Sequence, residues 1–209
     1  MEPAHYFTER PNTPSAPRIV RLRLPDVQLD LVADSGVFSG RQLDPGTRLL
    51  LRHAPVPRVG GDLLDLGCGY GPIALTLATR NPDVTVWAVD VNERALELVT
   101  RNATAAGLGN VTARKPEQVP DAVRFAGIYS NPPIRIGKPA LHQLLLGWLR
   151  RLLPGGTAWL VVQRNLGSDS LARWLNEQGY PTERIHAERG YRLLESDAGP
   201  SGADQPWPS

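Results

Sequence analysis

The chain has 209 residues, enough for one substantial domain and too few for two ordinary ones. Hydrophobic residues make up 41% and charged residues 21%, a globular composition that excludes a disordered chain. Lys and Arg total 23 against 21 Asp and Glu, and the net charge of +2 excludes histone-like or polybasic-tail binding of nucleic acid while leaving room for a local basic patch.

Residues 1–17 carry Pro3, Pro11, Pro14 and Pro17 among polar neighbours and read as an extended arm. A domain is expected over 18–196, followed by a Gly-, Pro- and Ser-rich tail, 197–209, expected to be disordered. Between Ile19 and Ala33 apolar and polar residues alternate about Pro25-Asp26, which predicts a β-hairpin with Val20, Leu22 and Leu24 on one face, and Val27, Leu29 and Leu31 sharing a face on its second strand. The loop Asp34-Ser35-Gly36-Val37-Phe38-Ser39-Gly40 follows, and Asp44-Pro45 reads as an N-cap with proline in the first turn of a helix to about Arg52.

From Gly61 onward strands alternate with helices. Strands are expected at 62–66, 85–90, 111–113, 125–130 and 157–162. Helices are expected at 72–81, at 92–106 with Gly107 as its stop, and at 140–153 closed by Pro154-Gly155-Gly156. A last helix runs from a Ser168 cap to Gln178, before a hairpin of 183–188 and 191–195 joined at Arg189-Gly190. This alternation predicts an α/β fold: a mostly parallel sheet covered by helices on both faces, with the closing hairpin adding an antiparallel strand at one edge.

The single cysteine, Cys68, excludes an intrachain disulfide and a cysteine-rich zinc site. Met1-Glu2-Pro3-Ala4-His5 has neither a basic nor an apolar leader segment, and no apolar run reaches the ~20 residues of a membrane helix, so a cytoplasmic protein away from membranes is expected. His5, His53, His142 and His186 show no metal-ligand spacing, and no metal is expected.

The sharpest motif is Asp65-Leu66-Gly67-Cys68-Gly69-Tyr70-Gly71, which leaves a buried strand and enters a helix, the place where an α/β sheet takes a nucleotide. The glycines allow close backbone approach. Their Gly-x-Gly-x-Gly spacing differs from the pyrophosphate fingerprint, and Asp65 repels a phosphate but suits a cationic ligand such as S-adenosylmethionine. Asp90, at the end of the next strand, stands where a carboxylate accepts hydrogen bonds from ribose hydroxyls; the alternative is an acid at a helix start favoured by the dipole. Ser130-Asn131-Pro132-Pro133-Ile134 then follows a strand directly. The Asn131 amide oxygen and the Pro132 carbonyl make two acceptors that can grip an NH₂ group and turn its lone pair toward a methyl donor. Alternatively, Asn131 caps its own turn. Arg135 and Lys138 beside this loop, and Arg10, Arg18, Arg21 and Arg23 near the start, suit RNA phosphates or a solvated face.

Residues 65–71, Asp90 and Asn131-Pro132-Pro133 together resemble the class I S-adenosylmethionine-dependent methyltransferases that act on planar amino groups. More narrowly the chain is similar to the methyltransferase small-domain proteins of the RsmC type, ribosomal RNA guanine-N2 methyltransferases. The likeness extends to His5-Tyr6-Phe7, residues 34–39, 43–50 and 131–138, and Gly190-Tyr191-Arg192. It implies a Rossmann-like seven-stranded sheet with an antiparallel last strand, S-adenosylmethionine as cofactor, and ribosomal RNA or the small ribosomal subunit as partner of a monomer. Carried over by position, Asp65, Gly67, Cys68, Gly69 and Tyr70 lie on the methionine side of the cofactor and Asp90 with Val91 on the ribose side. Glu117 stands for the acid that relatives place near the adenine. Asn131 and Pro132 become the catalytic pair, Asn131 also bordering the cofactor, with Pro133, Ile134, Arg135 and Lys138 around the target. Many relatives have an aromatic where Ile134 stands, so stacking on the target base is expected from Phe38 or Tyr6. The larger RsmC enzymes also carry a further N-terminal domain that this length does not accommodate. The expected activity is methylation of guanine N2 in 16S ribosomal RNA; the alternatives are a protein glutamine amide as target, or an RNA-binding module without activity.

Overall fold

The computed structural model describes residues 13–37 and 42–199, with the backbone alone for Arg135. Phe38 and the segment holding Tyr6 lie outside the described residues. Strands β1 (Arg18–Arg23) and β2 (Gln28–Ala33) form the expected hairpin, in register from Arg18↔Ala33 to Arg23↔Gln28. Their alternation buries Val20, Leu22, Leu31 and Ala33 and leaves Arg21 and Arg23 outward. Helix α1 (Pro45–His53) starts as its sequence dictates: the Asp44 side chain accepts from the Thr47 N–H at 2.8 Å and Pro45 occupies the first turn.

The main body alternates β3 (Asp62–Leu66), α2 (Pro72–Arg80), β4 (Val86–Val89), α3 (Glu93–Ala105), β5 (Val111–Arg114), β6 (Phe125–Ser130) and α4 (Lys138–Leu149). It ends with β7 (Leu152–Gln163), α5 (Ser168–Glu177), β8 (Thr182–Glu188) and β9 (Tyr191–Asp197). The seven strands are ordered β5-β4-β3-β6-β7-β9-β8. Successive residues feed opposite layers: Leu63 packs with α1, α2, α3 and the hairpin, whereas Leu64 packs with α4 and α5. The strands of the parallel part are thus apolar on both faces, the pattern of a sheet covered on both sides.

Three expectations change. The antiparallel last strand, β9, lies one place in from the edge, because it pairs with β7 from Thr157↔Asp197 to Gln163↔Tyr191 and buries Leu193 and Leu194. The more polar β8 takes the edge, where unpaired backbone meets water. Pro154-Gly155-Gly156 is not a helix stop: α4 ends at Leu149, Leu152 already pairs with Phe125, and the three residues sit in a register shift before Gly127↔Thr157. A Cβ on Gly156 would come within 2.9–3.2 Å of three carbonyl oxygens, so only glycine lets the two strands approach there. At α5, Gly167 with φ 99° holds the cap position and Ser168 is the first helical residue.

Strands β4, β3 and β6 run parallel as neighbours, so their carboxyl ends share one rim. Between β3 and β6 the strand order reverses, which opens a crevice at that rim.

Candidate active site

The turn after β3 needs glycine three times: Gly67 has φ 76°, Gly69 φ 55° and Gly71 φ 92°, a left-handed region in which a side chain is strained. Gly67 and Cys68 donate their N–H groups to the Val89 carbonyl at 2.8 and 3.0 Å, which ties the turn to the end of β4. The Asp90 carboxylate completes the tie by accepting from Gly69 N–H through Oδ2 and from Asn92 N–H through Oδ1, each at 2.9 Å. Each oxygen keeps a second lone pair for a ligand. Burial raises the Asp90 carboxyl above its ordinary range.

Asp65 lies beneath this turn, fully buried. Its Oδ2 accepts from the Ala74 N–H in the first turn of α2 at 2.8 Å, and Oδ1 has no partner among the described residues. Burial, with the neighbouring Asp90 charge adding to it, pushes the Asp65 carboxyl up to about 8. The Asp90 charge beside it adds to the cost of ionising Asp65, and a cationic ligand would relieve that cost.

Asn131 follows β6. Its Nδ2 donates to Asp44 Oδ2 at 2.8 Å and to Thr47 Oγ1 at 3.1 Å. With its NH₂ committed to Asp44 and Thr47, the amide leaves Oδ1 as an acceptor without a partner among the described residues. The Pro132 carbonyl accepts from Ile134 N–H at 2.8 Å across Pro133, whose φ −75° and ψ 71° make a proline-locked inverse γ-turn. That carbonyl keeps one lone pair for a second donor.

These pieces surround a cavity of about 540 Å³. Gly67, Gly69, Val89, Asp90, Val91 and Pro116 line one end, and Asn131, Pro132, Pro133 and Ile134 the middle. The far end is walled by Leu144, Val162 and Leu166 together with Gln163 and Tyr191. Eight sequence-predicted residues therefore share one space. Asp65 does not line it, because the strand holds its side chain under the turn. Cys68 and Tyr70 face a separate hollow of about 20 Å³, with Asp44 and Asn131 on its wall. Glu117 is exposed one residue beyond the lining Pro116, and Lys138 is exposed at the start of α4 outside the cavity. Phe38 is outside the described residues, as is the Arg135 side chain.

Sequence reasoning missed Asp44 and Thr47 as the holders of Asn131; Asp44 shows in sequence only as a helix cap. It also gave no role to Gln163 and Tyr191, a cross-strand pair in which Gln163 Nε2 donates to Tyr191 Oη at 2.8 Å. Away from the cavity, His53, His186 and Glu188 come together with donor atoms within 4.8 Å of one another. The two imidazoles stack at 3.7 Å and 13°, so their in-plane lone pairs run nearly parallel and would have to rotate to share an ion.

An otherwise parallel sheet with one reversed strand inserted beside its edge, opening its crevice at a glycine turn and an acid-tipped second strand, is the fold of the class I methyltransferases. The family model described as the methyltransferase small domain matches residues 28–195, and the chain belongs to that family. Among its relatives is "Uncharacterized protein YbxB" of Bacillus subtilis, 37% identical over 195 residues, covering 92% of this chain and 97% of the relative. "Ribosomal RNA small subunit methyltransferase C" of Shewanella piezotolerans is 32% identical over 168 residues, 78% of this chain and 48% of that protein. A solved structure of the T. thermophilus 16S rRNA N2 G1207 methyltransferase (RsmC), in complex with AdoMet and guanosine, superposes with a TM-score of 0.72 at 26% identity. The match covers 88% of this chain and 51% of that one, so the chain spans about half the length of the RsmC proteins it resembles.

Proposed function

We propose that the chain is an S-adenosylmethionine-dependent N-methyltransferase whose target is guanine N2 in small-subunit ribosomal RNA. The observation that carries this reading is the Asn131 amide, turned by Asp44 so that its oxygen is the free acceptor in the cavity that the glycine turn borders. The cavity suits the cofactor: about 540 Å³ falls within the roughly 300–1,000 Å³ of small-molecule sites. Asp90 would hold the ribose hydroxyls, Val89, Val91 and Pro116 would border the adenine, and a cationic ligand would favour the ionised form of the buried Asp65. When bound, the cofactor supplies a methyl group on a sulfonium. Asn131 Oδ1 and the Pro132 carbonyl accept the two N–H bonds of the target amine and aim its lone pair. Both acceptors are neutral, so their contribution is positioning rather than proton abstraction. A guanine within structured RNA must leave its stack to enter, at a cost of a few kcal/mol.

No helix among the described residues is long and apolar enough to cross a membrane. Nucleoside mapping of ribosomal RNA from cells lacking the gene tests the proposal. One N2-methylguanosine should disappear from the small-subunit RNA. Unchanged RNA alongside an undermethylated glutamine in a protein would transfer the activity to a side-chain amide.

A further inference from the structure

We infer that Gln163 and Tyr191 read the target base, and that they select the lactam edge of a 2-amino-6-oxopurine; this rests on the N-methyltransferase reading of the same cavity. Asn131 follows β6, Gln163 ends β7 and Tyr191 opens β9, three neighbouring strands, and each is placed on the face of the sheet that α1 covers. All three line the cavity. The Tyr191 ring is seated against the start of α1 at Gly46, where a Cβ would stand 2.7 Å from two ring carbons. Its hydroxyl has Gln163 Nε2 as its hydrogen-bond partner, and Gln163 Oε1 has none among the described residues.

An amide bonded to a phenol always leaves at least one donor and one acceptor. As arranged here, Gln163 Oε1 accepts and the Tyr191 hydroxyl proton donates. With the amide reversed, Gln163 would donate and Tyr191 would accept, so the pairing survives the ambiguity of amide orientation. A guanine gripped at N2 by Asn131 and Pro132 presents N1–H, a donor, and O6, an acceptor, along the same edge. Adenine held by its amine presents only ring-nitrogen acceptors there, cytosine its N3 and O2 acceptors with no donor, and a glutamine amide only its carbonyl oxygen. Among these amines guanine alone answers both groups, and each rejected target leaves a polar group of the pair unmatched.

The experiment uses short RNAs carrying guanine or 2-aminopurine at the methylated position; 2-aminopurine keeps the amine but lacks N1–H and O6. The wild-type protein should prefer guanine, and Tyr191→Phe and Gln163→Leu should each shrink the guanine to 2-aminopurine ratio of kcat/KM by about tenfold. That loss should come from guanine, with cofactor binding by calorimetry preserved. Equal losses on both RNAs, or an unchanged ratio, would overturn the role of the pair and leave the methyltransferase reading standing. A wild-type protein that methylates no guanine RNA would overturn both.

Discussion

Replacing Asp44 by alanine separates two jobs of one carboxylate. Its Oδ2 accepts from Thr47 N–H, capping α1, and from Asn131 Nδ2, orienting the amide, each at 2.8 Å. Loss of an N-cap costs about 1 kcal/mol, which for a chain of this length lowers Tm by roughly 2–4 °C. A hydrogen bond to a charged group is worth about 1.5–3 kcal/mol, and at ~1.4 kcal/mol per decade its loss at a positioning residue lowers kcat by about 10–100-fold. Thr47→Val removes only a neutral bond of 3.1 Å and should cost less than tenfold. Methyl transfer to undermethylated small subunits, beside calorimetric affinity for the cofactor, distinguishes the jobs. Asp44→Ala should bind cofactor within about twofold of wild type while turnover collapses. Full turnover at a lowered Tm would show that Asp44 caps the helix and does nothing for Asn131.

Three other perturbations follow from the same geometry. Gly46→Ala gains about 1 kcal/mol of helix propensity but forces a Cβ to 2.7 Å from the Tyr191 ring and 2.9 Å from Asp44 Oδ2. Overpacking of that kind costs about 1–3 kcal/mol, so denaturant melts should show net destabilisation and assays a loss of transfer; a stabilised, active variant would contradict the seating of Tyr191. Asp90→Ala removes the proposed ribose acceptor and the tie to Gly69, and calorimetry should show cofactor affinity weakened by about 100-fold, an unchanged Kd refuting the assignment. The Asp65 carboxyl titrates at about 8 in the folded chain against about 4 unfolded, so the native state holds the proton more tightly. The stability that this proton confers is complete below pH ~4 and is lost as pH rises through about 8. Without cofactor, urea-derived stability should therefore fall by a few kcal/mol from pH 5 to 8.5, and Asp65→Asn should flatten that fall; equal slopes would place the titration elsewhere.

What the sequence shows of this fold is what short-range chemistry encodes. Strands 62–66 and 125–130 are bounded as their apolar runs suggest, and Asp44-Pro45 opens its helix because a cap and a locked φ act within one turn. Leu152 escapes such reasoning, since its partner Phe125 is remote and the intervening Pro-Gly-Gly carries a strong turn signal. The position of β9 is likewise decided by tertiary pairing: an edge and an inner strand differ in what lies beside them, not in local pattern. The site divides in the same way. The glycine turn, Asp90 and Asn131 announce themselves because each motif follows a strand directly. The bond from Asn131 to Asp44 joins residues 87 apart, and Gln163 meets Tyr191 across 28, so no window of sequence contains either pair. Asp65 shows the reverse case, a motif residue whose strand turns it under the turn rather than into the cavity.

On the function proposed, Asn131, held by Asp44, positions an exocyclic amine for methylation. Single-turnover transfer of tritiated methyl from S-adenosylmethionine to undermethylated small ribosomal subunits, comparing wild type with Asn131→Ala, tests it most directly. Wild type should place label in N2-methylguanosine, and the variant should bind the cofactor normally while transferring at least 100-fold more slowly, the scale of a lost positioning contact. Equal transfer rates for the two proteins, or label recovered in protein rather than in RNA, would contradict it.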